Sequence, residues 1–370
     1  MTRPLDIVIV GLALSSSWGN GHATTFRALI GGLAAEGHRV LFLERDVPWY
    51  ASHRDLPEPG FCEFALYDDI PGLLRGHGPR LRSADAVIVG SYVPEGAAVI
   101  DALARLSPRM LCFYDIDTPV TMGLLDEGEH QYLAPRQVPG FDIYFSFSGG
   151  EVLRHLEEVR GAQRAEALYC SVDPALYAPP PVPTPPKWDM GYLGTYSPDR
   201  QPGLEALLLE PARRLPRMHF VVAGSRFPED IDWPPNVERI EHLPPADHAA
   251  FYGQQRFTLN LTRAAMRSMG WSPSVRLFEA GACGTPVISD RWQGLGEVLP
   301  EGEAVLIADR TEDAIAALTT LPEPARLAIA AHARRAVLGH HTGRARAREF
   351  AAALRGHAAQ TRAPLAATGP

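Results

Sequence analysis

The chain has 370 residues, which predicts two domains at ~150 residues per domain. An apolar fraction of 46 % and a charged fraction of 21 % are ordinary for a globular protein and exclude wholesale disorder. The net charge of −8 argues against the basic surface that a duplex nucleic-acid binder needs, so we expect no nucleic-acid partner.

Short β-branched and apolar runs alternate with helical patterns in the first half, which is typical of parallel sheets with crossover helices. The predicted strands are Asp6–Gly11, Arg39–Glu44, Asp85–Gly90, Arg109–Asp115, Asp142–Phe147 and Ala165–Cys170. The apolar spacing of His22–Glu36 predicts a helix between the first two strands, and Gly37 ends it.

Six prolines lie within Ala178–Pro186, so we expect a stiff linker over residues 178–187. The alternation of strands and helices then resumes. The predicted strands are Asp189–Gly194, His219–Gly224, Val237–His242, Phe257–Leu261, Pro286–Ser289 and Ala304–Ile307. The predicted helices are Gly203–Arg214, Val275–Ala282, Thr311–Leu318 and Pro324–Gly356, the last broken near Gly339–Gly343.

This order predicts two α/β domains with a cleft at the carboxyl ends of their strands, where open α/β sheets bind ligands. The predicted boundaries are 1–177 for the N-terminal domain, 188–340 for the C-terminal domain and 341–370 for a final helix and tail. Within the first strand, Asp6 leaves an apolar run too short for a signal peptide or a membrane span. The cysteines are too widely spaced for a zinc motif or a disulfide framework. We therefore expect a cytoplasmic protein with no integral membrane segment.

The loop after the first strand leads into a helix N-terminus, which can bind an anionic or polar ligand. Its Gly19-x-Gly21 is half of a dinucleotide fingerprint, but Thr24 stands where the third glycine belongs, so only half of the motif supports an NAD site. His22 is a candidate for acid–base chemistry. The alternative is a structural histidine that starts the helix and bonds to its own loop.

Asp115 and Asp117 end a predicted strand, and period-two alternation puts both carboxylates on one side. One interpretation is a divalent-metal pair that holds a diphosphate. The other is a polar strand end in which Asp117 caps the following turn, and this second interpretation, without a metal, is the one we adopt.

Two segments of the second half also carry candidate groups. Gly191–Gln201 has the pattern of a strand, a tight turn and a helix start, with Arg200 near the turn. The helix Val275–Ala282 carries Arg276 and Glu279 on one face. Such spacing is usually a plain surface ion pair, but the small apolar flanks favour a buried site here.

These segments resemble a known family. The run from Glu279 to Val287 is similar to the E-A-x-A-x-G-x-P-V segment of nucleotide-sugar glycosyltransferases with the GT-B fold. Gly194–Arg200 resembles their G-R-x-S-P-E-K turn, and Tyr169–Pro174 resembles the segment before their interdomain crossing. The Arg-x-Phe-Glu core with Ser289-Asp290 after it is most similar to the CgeB-type (spore maturation protein) glycosyltransferases.

The resemblance implies two Rossmann-like parallel-sheet domains that face each other across a cleft, with the final helix returning toward the N-terminal domain. It implies transfer of a sugar, as in hexosyltransferases, from a nucleoside-diphosphate sugar to a hydroxyl-bearing small molecule or glycan. The implied donor-binding residues are Gly194, Thr195, Arg200, Arg276, Glu279, Ser289 and Asp290, with Glu279 accepting from the ribose hydroxyls. The implied residues of the acceptor side are Trp18, Gly19, Asn20, Gly21 and His22. The expected catalytic residues are His22, Asp117 and Arg200.

Two departures from the family matter for mechanism. Trp271 stands where retaining members have their first acidic residue, so inversion and retention both stay open. Thr195 and Arg200 occupy the family's Arg and Lys positions, and the only lysine, Lys187, lies in the linker. Arginine must therefore meet the charge of the leaving diphosphate, and we expect neither a metal nor a cofactor beyond the nucleotide sugar. If the reaction inverts, His22 or Asp117 must act as base, whereas in retention the leaving phosphate can take the proton.

Two other functions stay open on the same fold. A sugar-nucleotide 2-epimerase would need an acid–base carboxylate near the sugar and no acceptor. A non-catalytic module would bind the nucleotide sugar without turning it over.

Overall fold

The computed structural model describes residues 3–18, 21–128, 131–182 and 185–362. Contacts within the chain divide it into two compact units. The N-terminal unit runs to Ser171 and includes the segment from Gly343 onward, and the C-terminal unit is Val172–Thr342.

The N-terminal unit contains a seven-stranded parallel sheet in the order β3-β2-β1-β4-β5-β6-β7. Its strands are β1 (Asp6–Gly11), β2 (Arg39–Arg45), β3 (Glu63–Tyr67), β4 (Ala86–Gly90), β5 (Leu111–Asp115), β6 (Ile143–Ser146) and β7 (Ala165–Ala167). Its helices are α1 (His22–Ala35), α2 (Pro48–Ala51), α3 (Ile70–Ser83), α4 (Gly96–Leu106), α5 (Thr118–Glu127) and α6 (Glu151–Glu158). Strands β1 and β4 are buried on both faces, which explains their continuous β-branched runs.

The C-terminal unit contains a six-stranded parallel sheet in the order β10-β9-β8-β11-β12-β13. Its strands are β8 (Trp188–Leu193), β9 (Phe220–Ala223), β10 (Val237–Ile240), β11 (Gln255–Asn260), β12 (Val287–Ser289) and β13 (Leu306–Ile307). Its helices are α7 (Gln201–Leu204), α8 (Glu210–Arg214), α9 (His248–Gly253), α10 (Ala264–Met269), α11 (Val275–Ala282), α12 (Leu295–Val298), α13 (Thr311–Thr319) and α14 (Glu323–His340). A π-helical turn, Glu205–Leu209, joins α7 to α8.

The last helix, α15 (Gly343–Arg362), belongs to the N-terminal unit and packs against α1. Phe350 and Leu354 of α15 lie in the same hydrophobic core as Phe26 of α1. The backbones approach closely because Gly32 of α1 and Gly343 lack side chains: a Cβ on Gly32 would lie 2.1 Å from the Gly343 carbonyl oxygen. The helix therefore completes the core of the unit in which the chain begins.

The proline-rich segment does not coincide with the division between the units. The division falls between Ser171 and Val172, ahead of the predicted linker. The Val172 amide donates to the carbonyl oxygen of His341, so the chain is already paired within the C-terminal unit there. The ring of Pro180 lies against Gly253 of the same unit.

Candidate functional site

Polar groups of the C-terminal unit gather where three neighbouring strands end. Strands β8, β11 and β12 lie side by side and end at Leu193, Asn260 and Ser289. Because parallel strands present their carboxyl ends at one edge, the segments that follow them meet there. This edge carries the candidate donor site predicted from the sequence.

Arg276 of α11 is fixed at this edge by neutral oxygen atoms. Its Nε donates to the Leu193 carbonyl oxygen at 2.6 Å, and its Nη1 donates to Asn260 Oδ1 at 2.9 Å. The guanidinium carbon also lies 5.2 Å from the centre of the Tyr192 ring. Arg276 thus has neutral rather than carboxylate partners here, and the surface ion pair with Glu279 is not formed.

Arg200 follows β8 and is anchored by one nitrogen only. Its Nη2 donates to the Thr195 carbonyl oxygen at 2.6 Å, whereas its buried Nε has no hydrogen-bond partner in the described part of the chain. Burial lowers the pKa of Arg200, and the positive charges of Arg276 and Arg263 lower it further. Arg276 and Arg263 therefore both place positive charge near Arg200, which favours an anion at this place.

Two glycines let the backbone approach these arginines. A Cβ on Gly194 would lie 3.0 Å from Arg276 Nη2, and Gly224, at φ 145°, would place a Cβ 2.0 Å from the Gly194 carbonyl oxygen. Beside the turn is a pocket of about 10 Å³ lined by Arg200 and Gln201, whose buried Nε and Oε1 have no hydrogen-bond partner among the described residues. Small-molecule sites typically measure ~300–1,000 Å³, so this pocket has room for a water-sized group rather than for a nucleotide sugar.

Glu279 has a different environment from Arg276. Its carboxylate is 5 % exposed and accepts the Tyr252 hydroxyl at 3.0 Å. Burial and the Glu279 charge raise the pKa values of Tyr252 and Tyr177, so both phenols stay protonated. A hydrogen bond from a ribose hydroxyl to Glu279 stays a prediction.

Ser289 and Asp290 brace the loop after β11. Asp290 accepts the Thr262 amide at 3.1 Å and the Thr262 hydroxyl at 2.9 Å, and burial raises the pKa of its carboxyl group. Ser289 accepts Asn260 Nδ2 at 2.9 Å. Through these bonds the two residues position the segment that leads to Arg263.

Trp271, which stands where an acid was expected from the family, donates its indole N–H to Glu297 Oε2 at 2.9 Å. Its backbone has a positive φ of 40°. The side chain therefore has a partner within its own unit.

In the N-terminal unit, His22 and Asp117 lie beside the same tyrosine. The His22 ring is edge-on to Tyr92 with 5.2 Å between ring centres, and the Tyr92 hydroxyl donates to Asp117 Oδ2 at 3.1 Å. Tyr92 itself has a positive φ of 62°, which is unusual for an aromatic residue. Gly21 precedes α1 as its N-cap, while Gly19 and Asn20 fall outside the described residues.

His22 is partly buried, and its Nδ1 has no hydrogen-bond partner among the described residues. Burial lowers the pKa of His22 to about 4, so the imidazole is neutral at neutral pH. The helix-start alternative, a bond from His22 to its own loop, stays a prediction, because Gly19 and Asn20 of that loop lie outside the described residues.

Asp115 is enclosed by the protein. Its Oδ1 accepts the Thr121 hydroxyl at 2.6 Å and the Asp117 amide at 3.2 Å, and its Oδ2 accepts the Tyr144 hydroxyl at 2.7 Å. Burial raises the pKa of Asp115 to about 6. Since protein donors occupy both oxygens, the geometry favours a structural carboxylate over half of a metal-binding pair.

The sequence did not single out Arg263, Tyr252 or Tyr92. Arg263 carries one local signal, a cation three residues after the end of the buried strand β11. Tyr92 and Tyr252 carry none, because each reaches its carboxylate only through the fold.

Comparisons with known proteins point to the same class of fold. Residues 200–352 match the family described as "Glycosyl transferase-like". No curated protein sequence matches the chain.

Solved structures align with nearly the whole chain at low identity. Sucrose-phosphate synthase from Thermosynechococcus elongatus is 15 % identical, with a TM-score of 0.67 over 96 % of this chain and 100 % of that one. HepE of Anabaena in complex with UDP-glucose is 12 % identical, with a TM-score of 0.64 over 95 % and 100 %. An alpha-glucosyltransferase in complex with UDP-glucose and DNA containing an abasic site is 12 % identical, with a TM-score of 0.68 over 95 % and 100 %.

These likenesses, with the two parallel sheets, show the GT-B fold of two Rossmann-like units. Among the described helices, none is both long and apolar enough for a bilayer crossing.

Proposed function

We propose that this chain is a glycosyltransferase that moves a sugar from a nucleoside-diphosphate sugar to an acceptor hydroxyl. The observation that carries the proposal is Arg200 at the carboxyl edge of the second sheet: its buried Nε has no hydrogen-bond partner among the described residues, and the positive charges of Arg276 and Arg263 lie near it. The family match begins at Arg200 and spans Arg263 and Arg276, which supports a donor site there. UDP-glucose, which is bound in two of the aligned structures, is the first donor to test.

The arginines would act on the leaving group. As the bond from the anomeric carbon to the diphosphate oxygen breaks, its electron pair stays with the diphosphate, and the sugar becomes oxocarbenium-like. Guanidinium groups can form charge-assisted, bidentate hydrogen bonds to that anion. We assign this role first to Arg200 and then to Arg276, with Arg263 adding positive charge. The reaction then proceeds without a metal ion.

The acceptor oxygen forms the new bond to the anomeric carbon and releases a proton. In an inverting reaction we assign that proton to His22 or Asp117 of the N-terminal unit. His22 suits the task because its imidazole is neutral above pH 4. In a retaining reaction the leaving phosphate takes the proton instead.

The finer assignments belong to this proposal as well. The Arg-x-Phe-Glu core supports a CgeB-type enzyme. The proposed transferred group is a hexosyl group. One aligned structure contains DNA, but the net charge of −8 supports a small-molecule or glycan acceptor for this chain. The four cysteines are free thiols, which supports a cytoplasmic location.

Release of nucleoside diphosphate tests the proposal. The purified chain is incubated with UDP-, GDP-, ADP- and TDP-sugars, alone and with a panel of hydroxyl-bearing acceptors, beside the Arg200→Gln variant. Acceptor-dependent release that Arg200→Gln abolishes would support a transferase. An epimer formed from donor alone would identify the chain as a 2-epimerase instead. Donor binding without any turnover would identify it as a non-catalytic module.

A further inference from the structure

Two exposed tryptophans of the N-terminal unit form a surface that the donor chemistry does not use. Trp18 is 50 % exposed and Trp49 is 63 % exposed. His53 lies between them: its ring stacks on Trp18 with 4.4 Å between centres and a 17° interplanar angle, and its centre lies 6.4 Å from that of Trp49. We call Trp18, His53 and Trp49 the aromatic platform. Exposing two neighbouring indoles to water is costly, so such a patch marks a binding surface.

Hydrogen bonds hold the platform in place. The Ser16 hydroxyl donates to the His53 carbonyl oxygen at 2.7 Å, and the Leu56 amide donates to the Ser15 carbonyl oxygen at 2.9 Å. The His53 ring also lies 2.8 Å from the Ser52 hydroxyl oxygen. The loops after β1 and β2 are thereby joined, and a ligand would meet a prearranged surface rather than one it must order.

The charges beside the platform are paired, and their exposed members are acidic. Arg27 binds Asp55 at 2.8 Å, and the Asp55 side chain is 48 % exposed against 22 % for Arg27. Arg54 binds Asp46 at 2.6 Å, again with the carboxylate more exposed. Hydrogen bonds from Arg27 hold the pKa of Asp55 well below its usual range, so it is ionised at neutral pH. Arg27 and Ser17 occupy both oxygens of Asp55, whereas Arg54 binds Asp46 through Oδ1. The rim therefore repels anions, and Asp46 is its candidate acceptor for a ligand hydroxyl group.

We propose that the aromatic platform binds one ring of a neutral saccharide, which makes the acceptor of the proposed transferase a glycan. The C–H groups on the flat face of a pyranose carry partial positive charge and suit the negative faces of aromatic rings. Its equatorial hydroxyls would point outward to the acidic rim, where one of them can donate to Asp46. An anionic lipid headgroup fits poorly, because both neighbouring arginines are already paired. The inference rests on the proposed function only for calling this saccharide the acceptor.

Fluorine NMR of the intact chain labelled with 5-fluorotryptophan tests the binding directly. The chain has six tryptophans, so the four outside the aromatic platform serve as internal controls in each spectrum. Trp18→Phe and Trp49→Phe assign two resonances. Methyl glycosides and methyl disaccharides of neutral hexoses should shift these two resonances in a saturable way, at the millimolar affinity of a single stacked ring (~4 kcal/mol), and leave the other four in place.

Absence of any shift of the Trp18 and Trp49 resonances up to about 50 mM sugar, far above a millimolar Kd, would overturn the proposal. A shift caused only by vesicles of equal parts phosphatidylcholine and phosphatidylglycerol would overturn it too, since it would make the platform a membrane contact. Because this measurement needs no turnover, it can support sugar binding by the platform even if the donor experiments contradict the proposed transferase.

Once turnover is found, Trp49→Ala should raise the KM for the saccharide acceptor about 3- to 10-fold, in keeping with one aromatic contact, and leave the KM for the donor unchanged. Trp49→Phe should retain most of the acceptor affinity. Val159→Ala, at another exposed apolar side chain of the same unit, is the matched control. An equal rise in both KM values for Trp49→Ala would show a structural role and contradict the assignment.

Discussion

Arg200 and Arg276 differ in what already binds them. Arg276 is held by two hydrogen bonds to neutral oxygens, so its position is set before any ligand arrives. Arg200 has one such bond and a buried Nε without a partner in the described chain. A buried donor left unpaired costs ~1–3 kcal/mol, and an anion that accepts from it would recover that cost. The affinity of the proposed donor site should therefore depend most on Arg200.

Arg200→Gln should weaken the binding of UDP by ~1.5–3 kcal/mol, because it removes charge-assisted bonds to the diphosphate. Binding of uridine, which lacks the diphosphate, should change little. Titration calorimetry with both ligands measures the difference, and Arg335→Gln, at an exposed position on α14, is the control. Equal losses for UDP and uridine would place Arg200 outside the diphosphate site.

His22→Ala should lower turnover by ~10²–10⁴ if His22 is the general base, without changing nucleoside-diphosphate affinity. The wild-type rate profile should have an acid limb near pH 4, where burial places the pKa of His22, and the substitution should remove it. Steady-state rates from pH 3.5 to 8 provide the test, with the exposed His332→Ala as control. Near wild-type transfer by His22→Ala would make His22 structural and move the base to Asp117.

The same histidine affects stability with a definite sign. Its folded pKa of about 4 lies below the ordinary 6.5, so between these values the unfolded chain binds a proton that the folded chain does not. Wild type should therefore lose stability as the pH falls from 6.5 to 4, and His22→Ala should lose less. Equal pH dependence of the two melting temperatures would contradict the burial of this imidazole.

At the scale of elements, periodicity located most strands because both faces of β1, β4 and β11 are buried and the runs are continuous. Strand β3 was not predicted: its sequence, Glu-Phe-Ala-Leu-Tyr, follows a proline- and glycine-rich segment, and it pairs on one side only, at the sheet edge. The packing of α15 on α1 is a tertiary feature that local sequence does not contain. Gly32 and Gly343 permit this packing, but small residues alone do not say which helix will lie against them.

Gly32→Ala should lower the free energy of unfolding of the N-terminal unit by ~1–3 kcal/mol, because the new methyl group would overlap the α15 backbone. Gly31→Ala is the matched control in the same helix: among the described residues, no atom outside the local helix backbone lies within 4 Å of the position that a Cβ would take, and alanine should stabilise α1 by about 0.5–1 kcal/mol. Urea unfolding followed by circular dichroism compares the two. Coincident midpoints would contradict the close approach of α1 and α15.

Across the whole molecule, sequence motifs located Arg200, Arg276 and Glu279 but not their surroundings. The motif put Arg276 and Glu279 on one face of a helix, yet the fold directs one to Asn260 and the other to Tyr252. Arg263 joins the group only because β11 lies next to β8 in the sheet. Spacing within one element is local and predictable, whereas partners from other elements depend on strand order.

Activity should survive EDTA, because the three arginines supply the positive charge that a metal would otherwise bring to the diphosphate. Initial rates before and after chelation, and after adding back Mg²⁺ or Mn²⁺, test this expectation. Loss on chelation with recovery on metal addition would restore the metal-pair interpretation of Asp115 and Asp117.

A melting experiment with the intact chain tests whether the C-terminal unit binds a nucleoside diphosphate at its arginines. UDP, GDP, ADP and TDP are each added up to about 5 mM, since a ligand that binds only the folded state raises the melting temperature. We predict that at least one of them raises it, that the matching nucleoside raises it less, and that Arg200→Gln reduces the shift given by the diphosphate. If none of the four shifts the melting temperature at that concentration, the donor site and the proposed transferase are both contradicted.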